Sequence, residues 1–418
     1  MMSILRRVAA NGALVIAGIA MAFIVAEFVL RLTPLGQPQF YTYDRFCGWT
    51  TKPGATGWQR EEGDAWVSIN REGFRGPEVS PDTPPGVLRI AVLGDSFTEA
   101  SQVAYEDTFS AVMQRQLGAC PLAPPDSGTA DAAARRVEVL NFGCDSYGTA
   151  QELLTLEHRV WRFHPDFIVL AVFTGNDMRN NSVALEGDRC RPFYVVRNNH
   201  LVPGGPFNDS LWFRFLCYAR FESRHSQVLN ALGRARSTVR AWWRRKQPPP
   251  AAIARHARAA HHEAGINDFI YLPPSTDAER DAWRITEDEI EMVHQEAAAH
   301  HAGLLVVTLS NPIQDFPKPE VRARYMKALG IDTLFYPDAR IAALGSRDGF
   351  AVLNLAPAMQ SYADAQQVFL HGFPNTHPGV GHWNAAGHQV AGDLIAARIC
   401  AMLSANGSPL SPSPAAPR

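Results

Sequence analysis

Three polar residues stand at points of the chain where each could take part in cleaving an ester. Ser96 follows an apolar run that ends at Gly94, Asn176 follows another apolar run, and His382 comes shortly before the last helix-like stretch. A serine hydroxyl becomes a nucleophile when a histidine removes its proton. An amide N–H can stabilise the oxyanion that forms during the attack. These residue types predict an acyl-transfer site if the fold brings them together.

The sequence around these residues alternates between predicted strands and helices. We predict strands at 87–93, 137–140, 167–173, 304–309 and 350–355. We predict helices near 106–119, 149–163, 284–300 and 385–403. Such alternation is typical of a parallel sheet covered on both faces. We therefore predict a three-layer α/β/α domain with a central, flavodoxin-like parallel sheet, whose site lies at the carboxyl ends of the strands.

Four polar blocks occupy those strand ends and the start of the last helix. They are Gly94-Asp95-Ser96, the stretch 141–148, Gly175-Asn176-Asp177 and Gly381-His382. In this order they resemble the SGNH (GDSL-type) hydrolase superfamily, in particular its bacterial membrane-anchored members. The resemblance extends over about residues 45–405. The stretch Asn70-Arg71-Glu72-Gly73-Phe74-Arg75 also resembles the N-x-x-G-F-R segment that precedes the domain in those proteins.

The resemblance implies a role for each residue of the blocks. Ser96 would be the nucleophile and His382 the general base. The oxyanion donors would be the backbone N–H groups of Ser96 and Ser146 and the side chain of Asn176. Five residues would form the scaffold of the turns: Gly94, Asp95, Gly143, Gly175 and Asp177. Three aromatic residues adjoin the site and either line an acyl pocket or pack in the core: Phe97, Tyr147 and Trp383.

The chain departs from the family pattern at two positions. Ser146 stands where a glycine is common, which is tolerable because the donor is a backbone N–H. Gly379 stands three residues before His382, where the family often has the aspartate that orients the imidazole. We therefore predict a dyad of Ser96 and His382, with no carboxylate oxygen within about 3.2 Å of the far ring nitrogen. Asp364 is the acid that would restore a triad.

The remaining histidines and cysteines do not indicate a metal or a cofactor, and we expect neither. His371, His377, His382 and His388 lie close together, but their spacing fits no standard zinc pattern. The six cysteines are scattered. Cys120 ends the helix after the first predicted strand and Cys400 lies in the last helix. We predict that their Cα atoms lie within about 7 Å, the limit for a disulfide.

The N-terminus predicts a single membrane anchor over residues 8–32. Val8 to Ala26 form an apolar stretch without charges, and a bilayer core needs roughly 20 such residues as a helix. A cleaved signal peptide is the alternative, because Ala20-Met21-Ala22 has the form of a cleavage site. Arg6 and Arg7 favour an N-terminus inside the cytoplasm. The catalytic domain would then lie outside the bacterial cytoplasmic membrane.

We divide the rest of the chain into a stalk or cap (33–85), the hydrolase domain (86–405) and a disordered tail (406–418). A helical insertion at about 180–275 interrupts the domain. Between Arg214 and Arg258 it holds ten arginines and one lysine against a single acid, Glu222. It is either a solvated excursion, or a lid or membrane-surface element. The net charge of −2 favours no nucleic-acid partner.

The predicted function is that of a serine esterase or O-acyl (acetyl) hydrolase. The resemblance allows acylated carbohydrates or lipid esters as substrates and does not choose between them. Two alternatives stay open: an acyltransferase to an envelope glycan, and a non-catalytic protein that binds a glycan or an assembly partner.

Overall fold

The computed structural model describes residues 2–33, 38–120, 136–223, 225–246 and 268–405. Helix α1 (Met2–Leu32) comes first. Its segment Ala10–Leu32 is 23 residues long, has a mean hydropathy of 2.6 and is not buried against the protein. Length and composition therefore allow α1 to cross a membrane, as an anchor or as a signal sequence.

Two antiparallel hairpins follow α1. Strands β1 (Tyr41–Asp44) and β2 (Gly48–Thr51) form the first, and β3 (Thr56–Gln59) and β4 (Ala65–Ser68) form the second. The residues of β3 and β4 alternate between a face that packs on the protein and a face exposed to solvent. This is the pattern expected of a sheet with one solvent-exposed face.

The central sheet has five parallel strands. They are β5 (Val87–Gly94), β6 (Arg136–Asn141), β7 (Phe167–Val172), β10 (Gly303–Thr308) and β11 (Ala351–Asn354), in the order β11-β10-β7-β5-β6. Strands β5 and β7 are buried along their whole length, as expected for strands covered on both faces.

Helices cover both faces of this sheet. On one face lie α3 (Phe109–Gly118), α10 (Pro319–Leu329), α12 (Leu355–Gln366) and α13 (Ala385–Ala405), around Ile90 and Val92 of β5. On the other face lie α4 (Thr149–Thr155), α9 (Asp277–Ala299) and α11 (Tyr336–Asp348), around Ala91 and Leu93. Successive residues of β5 thus pack into two separate hydrophobic cores, one on each face of the sheet. The predicted three-layer architecture is confirmed.

Two short helices begin shortly after strands β5 and β7 of the central sheet. The short helices are α2 (Ser96–Glu99) and α5 (Asp177–Asn180).

The insertion contains β8 (Phe193–Arg197), β9 (His200–Gly204), α6 (Pro206–Asp209), α7 (Leu211–Ser223) and α8 (Gln227–Lys246). The helices of the insertion are thus preceded by a hairpin that the sequence analysis did not anticipate. There Asn198 and Asn199 adopt positive φ angles that close an antiparallel hairpin.

Two disulfides cross-link the part of the chain that the structure describes. Cys120 and Cys400 are bonded with their Cα atoms 6.1 Å apart, which confirms the prediction. Cys190 and Cys217 form a second bond, within the insertion, that the sequence analysis did not anticipate. The predicted tail at 406–418 lies outside the described residues.

Candidate active site

Ser96 is the first residue of α2, directly beyond the end of β5. The Asp95 side chain accepts a hydrogen bond of 2.9 Å from the Phe97 N–H and so caps the helix. Gly94 has no room for a side chain, because a Cβ there would overlap Thr98 and the Ala171 carbonyl. The chain can therefore turn tightly enough to hold the Ser96 hydroxyl at the carboxyl edge of the sheet.

His382 lies between Ser96 and a carboxylate. Its Nε2 is 2.8 Å from Ser96 Oγ. Its Nδ1 is 2.5 Å from Glu62 Oε2, and its backbone N–H donates to Glu62 Oε1 at 2.8 Å. The three side chains form a continuous hydrogen-bonded chain that has the form of a catalytic triad.

The prediction of a dyad is therefore wrong. The carboxylate comes from Glu62 in the segment predicted to be a stalk or cap, and not from Asp364, which pairs with Arg322 at 2.6 and 2.8 Å. Gly379 shows why the usual position is empty. It has φ +78°, and a Cβ there would overlap the Phe316 ring. An aspartate at 379 would be both strained and crowded.

The tip of the β3–β4 hairpin holds Glu62 in place. Asn375, in the loop before His382, accepts a hydrogen bond from the Gly63 N–H at 3.0 Å and donates to the carbonyls of Gly63 and Arg60. Gly381 has φ +87°, and any side chain there would displace the Glu62 carboxylate. The hairpin tip and the loop before His382 are thus in close contact and complementary in shape.

The charges of Glu62 and His382 stabilise each other. Burial alone would raise the pKa of Glu62, but its hydrogen bonds to His382 outweigh that effect and lower the pKa. Burial alone would lower the pKa of His382, but the hydrogen bond and negative charge of Glu62 raise it above the ordinary value. The pair therefore favours an imidazolium beside a carboxylate.

Asn176 reaches the site from the end of β7. Its Nδ2 donates to Asp95 Oδ2 at 3.1 Å, which leaves the second hydrogen of the amide for another acceptor. Asp177 accepts from the Phe173 N–H at 2.8 Å and so fixes the same turn. Burial raises the pKa of Asp95 to about 6. Asp95 and Asp177 thus act as scaffold residues in the structure.

Ser146 adopts a left-handed backbone conformation with φ +61°, which glycine adopts at the least cost. Its carbonyl accepts from Arg191 Nη2 at 2.9 Å, and the Asp145 N–H before it donates to Glu99 Oε2 at 2.7 Å. Gly143 is packed so closely on Thr98 and Glu99 that a Cβ would overlap the backbone. These contacts hold the loop beside α2.

The N-terminal hairpins also support this loop. Trp49 Nε1 donates to the Asp145 carbonyl at 3.0 Å, and the Tyr147 hydroxyl donates to the Trp49 carbonyl at 2.5 Å. The Tyr41 hydroxyl donates to Glu99 at 2.9 Å. Side chains and backbone of the first hairpin thus contact the loop and the helix beside Ser96.

Arg75 is a supporting residue that belongs to the predicted N-x-x-G-F-R segment. It is 1% exposed and donates to the carbonyls of Glu99, Ala100 and Val103 at the end of α2. Burial lowers the pKa of Arg75 to about 10, so the guanidinium keeps its charge at neutral pH. The segment thus stabilises the carboxyl end of the helix that begins at Ser96.

The three aromatic candidates lie in the core. Phe97, Tyr147 and Trp383 are at most 4% exposed. Phe97 packs on the His382 ring at 4.8 Å between ring centroids, and Trp383 donates to Ser310 Oγ at 3.0 Å. Of the three, Phe97 alone contacts a residue of the hydrogen-bonded chain through its ring.

Two histidines near His382 in the sequence are buried in the protein. His371 is fully buried, with Nδ1 2.8 Å from the Gly381 carbonyl and Nε2 3.2 Å from Asp315. His388 is also buried, which lowers its pKa to about 3. Among the residues that the structure describes, no group of His, Cys, Asp and Glu side chains is arranged to hold a metal.

No protein-family model matches the sequence, and no curated protein is significantly similar to it. Its structure is similar to several solved ones. A lipase/acylhydrolase from Enterococcus faecalis is 13% identical with a TM-score of 0.35, over 78% of this chain and 100% of that one. A GDSL-like lipase from Bacteroides thetaiotaomicron is 12% identical with a TM-score of 0.31, over 75% and 88%. An acetyl xylan esterase is 14% identical with a TM-score of 0.36, over 75% and 100%. The solved structures with a similar fold thus include a lipase/acylhydrolase, a GDSL-like lipase and an acetyl xylan esterase.

Proposed function

We propose that this protein is a serine esterase that cleaves carboxylic esters through an acyl-enzyme formed on Ser96. The observation that carries the proposal is the hydrogen-bonded chain from Ser96 Oγ through His382 to Glu62. A serine–imidazole–carboxylate chain at the carboxyl edge of a parallel sheet is the arrangement that activates a hydroxyl for attack on a carbonyl.

The reaction follows from the roles of these groups. His382 Nε2 takes the proton of Ser96 as Oγ attacks the ester carbonyl, and Glu62 stabilises the imidazolium that results. The imidazolium then gives its proton to the leaving alcohol, and the acyl group stays on Ser96. His382 Nε2 takes a proton from water as the water attacks the acyl-enzyme. When the acid leaves, the imidazolium returns this proton to Ser96 Oγ and the free hydroxyl is restored.

The oxyanion of each tetrahedral intermediate is assigned to three donors. These are the backbone N–H groups of Ser96 and Ser146 and the free amide hydrogen of Asn176. The positive φ of Ser146 and the hydrogen bond from Asn176 to Asp95 fix two of the donors before substrate binds. Donors that are oriented in advance need no reorganisation during reaction.

The nucleophile is tested with a fluorophosphonate probe and with 4-nitrophenyl acetate. The wild-type chain should be labelled at Ser96 and should hydrolyse the ester. Ser96→Ala should lose both properties while keeping its circular dichroism spectrum. Ser361→Ala, which changes an exposed serine, is the matched control and should keep both. Labelling of Ser96→Ala, or more than a tenth of wild-type turnover, would remove Ser96 from this role.

We also infer that α1 anchors the protein, with the catalytic domain on the outer side of the membrane. The apolar side chains of the membrane-length segment face away from the protein. Near its end, Glu27 accepts hydrogen bonds from Ser226, Gln227 and Val228 at the start of α8. Arg31 donates to the His225 carbonyl at 2.8 Å. The two disulfides are typical of an oxidising compartment.

The insertion supports this placement because it docks on the last turns of α1. Helix α7 exposes Leu211, Trp212 and Phe215, with 81%, 68% and 52% of their surface accessible. Helix α8 exposes Leu229 and Leu232. Apolar residues on a helix rich in arginine are typical of elements that lie in the membrane interface. We therefore assign α7 and α8 to the membrane surface beside the anchor.

Topology and anchoring are tested together. Alkaline phosphatase fused after Arg418 should be active, and the protein should stay with the membrane after carbonate extraction. The intact mass should include the residues of α1. A chain that begins near Phe23 and is released by carbonate would show that α1 is a cleaved signal. An inactive phosphatase fusion would place the domain on the cytoplasmic side.

A further inference from the structure

A cavity of about 790 Å³ lies beside the hairpin tip that carries Glu62. Its walls come from the tip, from the chain after α2 and from the loop before His382. They include Arg60, Asp64, Gln102, Asp107, Phe373 and Asn384. Ser96 and His382 do not line the cavity, so it is distinct from the space in which the ester reacts.

Gln102 lines the cavity and carries an unused hydrogen-bond acceptor. The residue is 6% exposed, and its Oε1 accepts no hydrogen bond from any residue that the structure describes. A buried amide oxygen without a partner is costly. A ligand with a hydroxyl group would satisfy it. Arg60, Asp64 and Asp107 add charges of both signs to the walls, which suits a polar, uncharged ligand better than a lipid chain.

The hairpin presents an aromatic surface next to this cavity. Trp58 and Trp66 are cross-strand partners on the solvent-facing side of β3 and β4. They are 46% and 51% exposed, with ring centroids 5.7 Å apart. The guanidinium of Arg60, which lines the cavity, lies 4.9 Å from the Trp58 ring centroid. Trp58 and the cavity are therefore joined through one side chain.

The position of the cavity relates it to the alcohol part of the ester. His382 gives its proton to the leaving alcohol, so that part of the substrate departs beside His382. Asn384 lines the cavity two residues after His382, and Gly63 lines it one residue after Glu62. An alcohol that extends from His382 towards Gly63 and Asn384 would enter the cavity that Gln102 lines.

We propose that the cavity and the Trp58–Trp66 surface bind a neutral carbohydrate chain that forms the alcohol part of the ester. Sugar hydroxyls would donate to Gln102 and hydrogen-bond the charged groups of the wall, and a sugar ring would stack on Trp58. This inference rests on the proposed esterase function. It defines the substrate as an acylated oligosaccharide and not a lipid ester.

Binding is measured first without catalysis. The Ser96→Ala protein is titrated with neutral xylo-, manno- and chito-oligosaccharides while its tryptophan fluorescence is followed. At least one series should bind, and affinity should rise with chain length. The double variant Trp58→Ala/Trp66→Ala and the variant Gln102→Leu, each in the Ser96→Ala protein, should bind at least tenfold more weakly. Trp212→Ala changes an exposed tryptophan on α7 and should bind as before.

Turnover supplies the second measurement. With the acetylated form of the oligosaccharide that binds, both sets of substitutions should raise KM about tenfold and leave kcat unchanged. With 4-nitrophenyl acetate they should change neither constant. If none of the oligosaccharides binds, or if the substitutions weaken only the turnover of lipid esters, the carbohydrate proposal is wrong. If oligosaccharides bind but no ester is cleaved, the esterase proposal fails while the carbohydrate site stands.

Discussion

Both carboxylate oxygens of Glu62 are committed to one residue. Oε2 lies 2.5 Å from the His382 ring and Oε1 accepts from the His382 backbone N–H at 2.8 Å. The first contact sets the tautomer, so that Nε2 is free to accept the serine proton. The second holds the loop from which the ring projects. Glu62 thus fixes both the orientation and the position of the His382 ring, which is the proposed general base.

Substituting Glu62 with glutamine should lower kcat more than it raises KM. The imidazolium would lose its carboxylate, and losses of about 10²- to 10⁴-fold in kcat are typical of such a change. Glu62 raises the pKa of His382, and activity needs the neutral ring. The acid limb of the pH–rate profile should therefore move to lower pH in Glu62→Gln, as a pH series with 4-nitrophenyl acetate would reveal.

The control for this prediction is Glu61→Gln, which changes the neighbouring acid of the hairpin tip. Its acid limb should coincide with that of the wild type. An unshifted limb in Glu62→Gln, together with near-normal kcat, would mean that the carboxylate does not act on His382 in solution.

The sequence identified Ser96, Asn176 and His382 because each stands next to a predicted strand or helix boundary. Glu62 could not be found that way. It lies 320 residues before His382, in a turn whose other charged residues are exposed. The Gly379 position revealed that the usual acid was missing, but local spacing holds no information on which distant segment replaces it.

At the scale of elements, the β3–β4 hairpin and the loop before His382 form one unit. Asn375 joins them with hydrogen bonds to the backbone of Arg60 and Gly63. The hairpin tip has few other means to keep its position, because the face that carries Trp58 and Trp66 is exposed. The Asn375 amide is therefore an important link between the hairpin tip that carries Glu62 and the loop before His382.

Removing that amide with Asn375→Ala should loosen Glu62 without removing it. We expect kcat to fall about tenfold, which corresponds to about 1.4 kcal/mol of transition-state stabilisation. The acid limb should shift in the same direction as in Glu62→Gln but by less. Steady-state kinetics over a pH range would measure both effects. Asn199→Ala, in the exposed β8–β9 turn, is the control, and equal behaviour of the two variants would contradict the prediction.

The strands of the central sheet were predictable because each is a short segment in which at least half of the residues are Val, Ile, Leu or Ala. Helices α10, α11 and α12 were not predicted. Each has a proline among its first three residues. Each also carries only a narrow apolar stripe. The β8–β9 hairpin escaped prediction because its strands have only five residues each and its turn is Asn198-Asn199, which lacks the glycine of the strongest hairpin signals.

At the scale of the whole molecule, the disulfides close loops of very different size. Cys120–Cys400 spans 280 residues and Cys190–Cys217 spans 27. The first joins α3 to α13, which pack together on one face of the sheet. The second stays within the insertion. The long bond therefore restrains nearly the entire catalytic domain when the chain unfolds.

Removing the long bond with Cys120→Ser/Cys400→Ser should destabilise the domain more than Cys190→Ser/Cys217→Ser does. The entropy of loop closure predicts a difference of about 2 kcal/mol in the free energy of unfolding. Urea denaturation followed by tryptophan fluorescence would measure it. Equal midpoints for the two double variants would show that loop size does not control the stability of this fold.

The separation of Glu62 and His382 also determines when the enzyme becomes active. The ribosome adds residues at about 5–20 per second, so the 320 residues between them require roughly 16 to 64 seconds. Ser96 and its acid emerge early, but the base that connects them is made near the end, and α13 comes later still. A growing chain therefore carries no complete site. The proposed hydrolysis can begin only after the two ends of the domain have met.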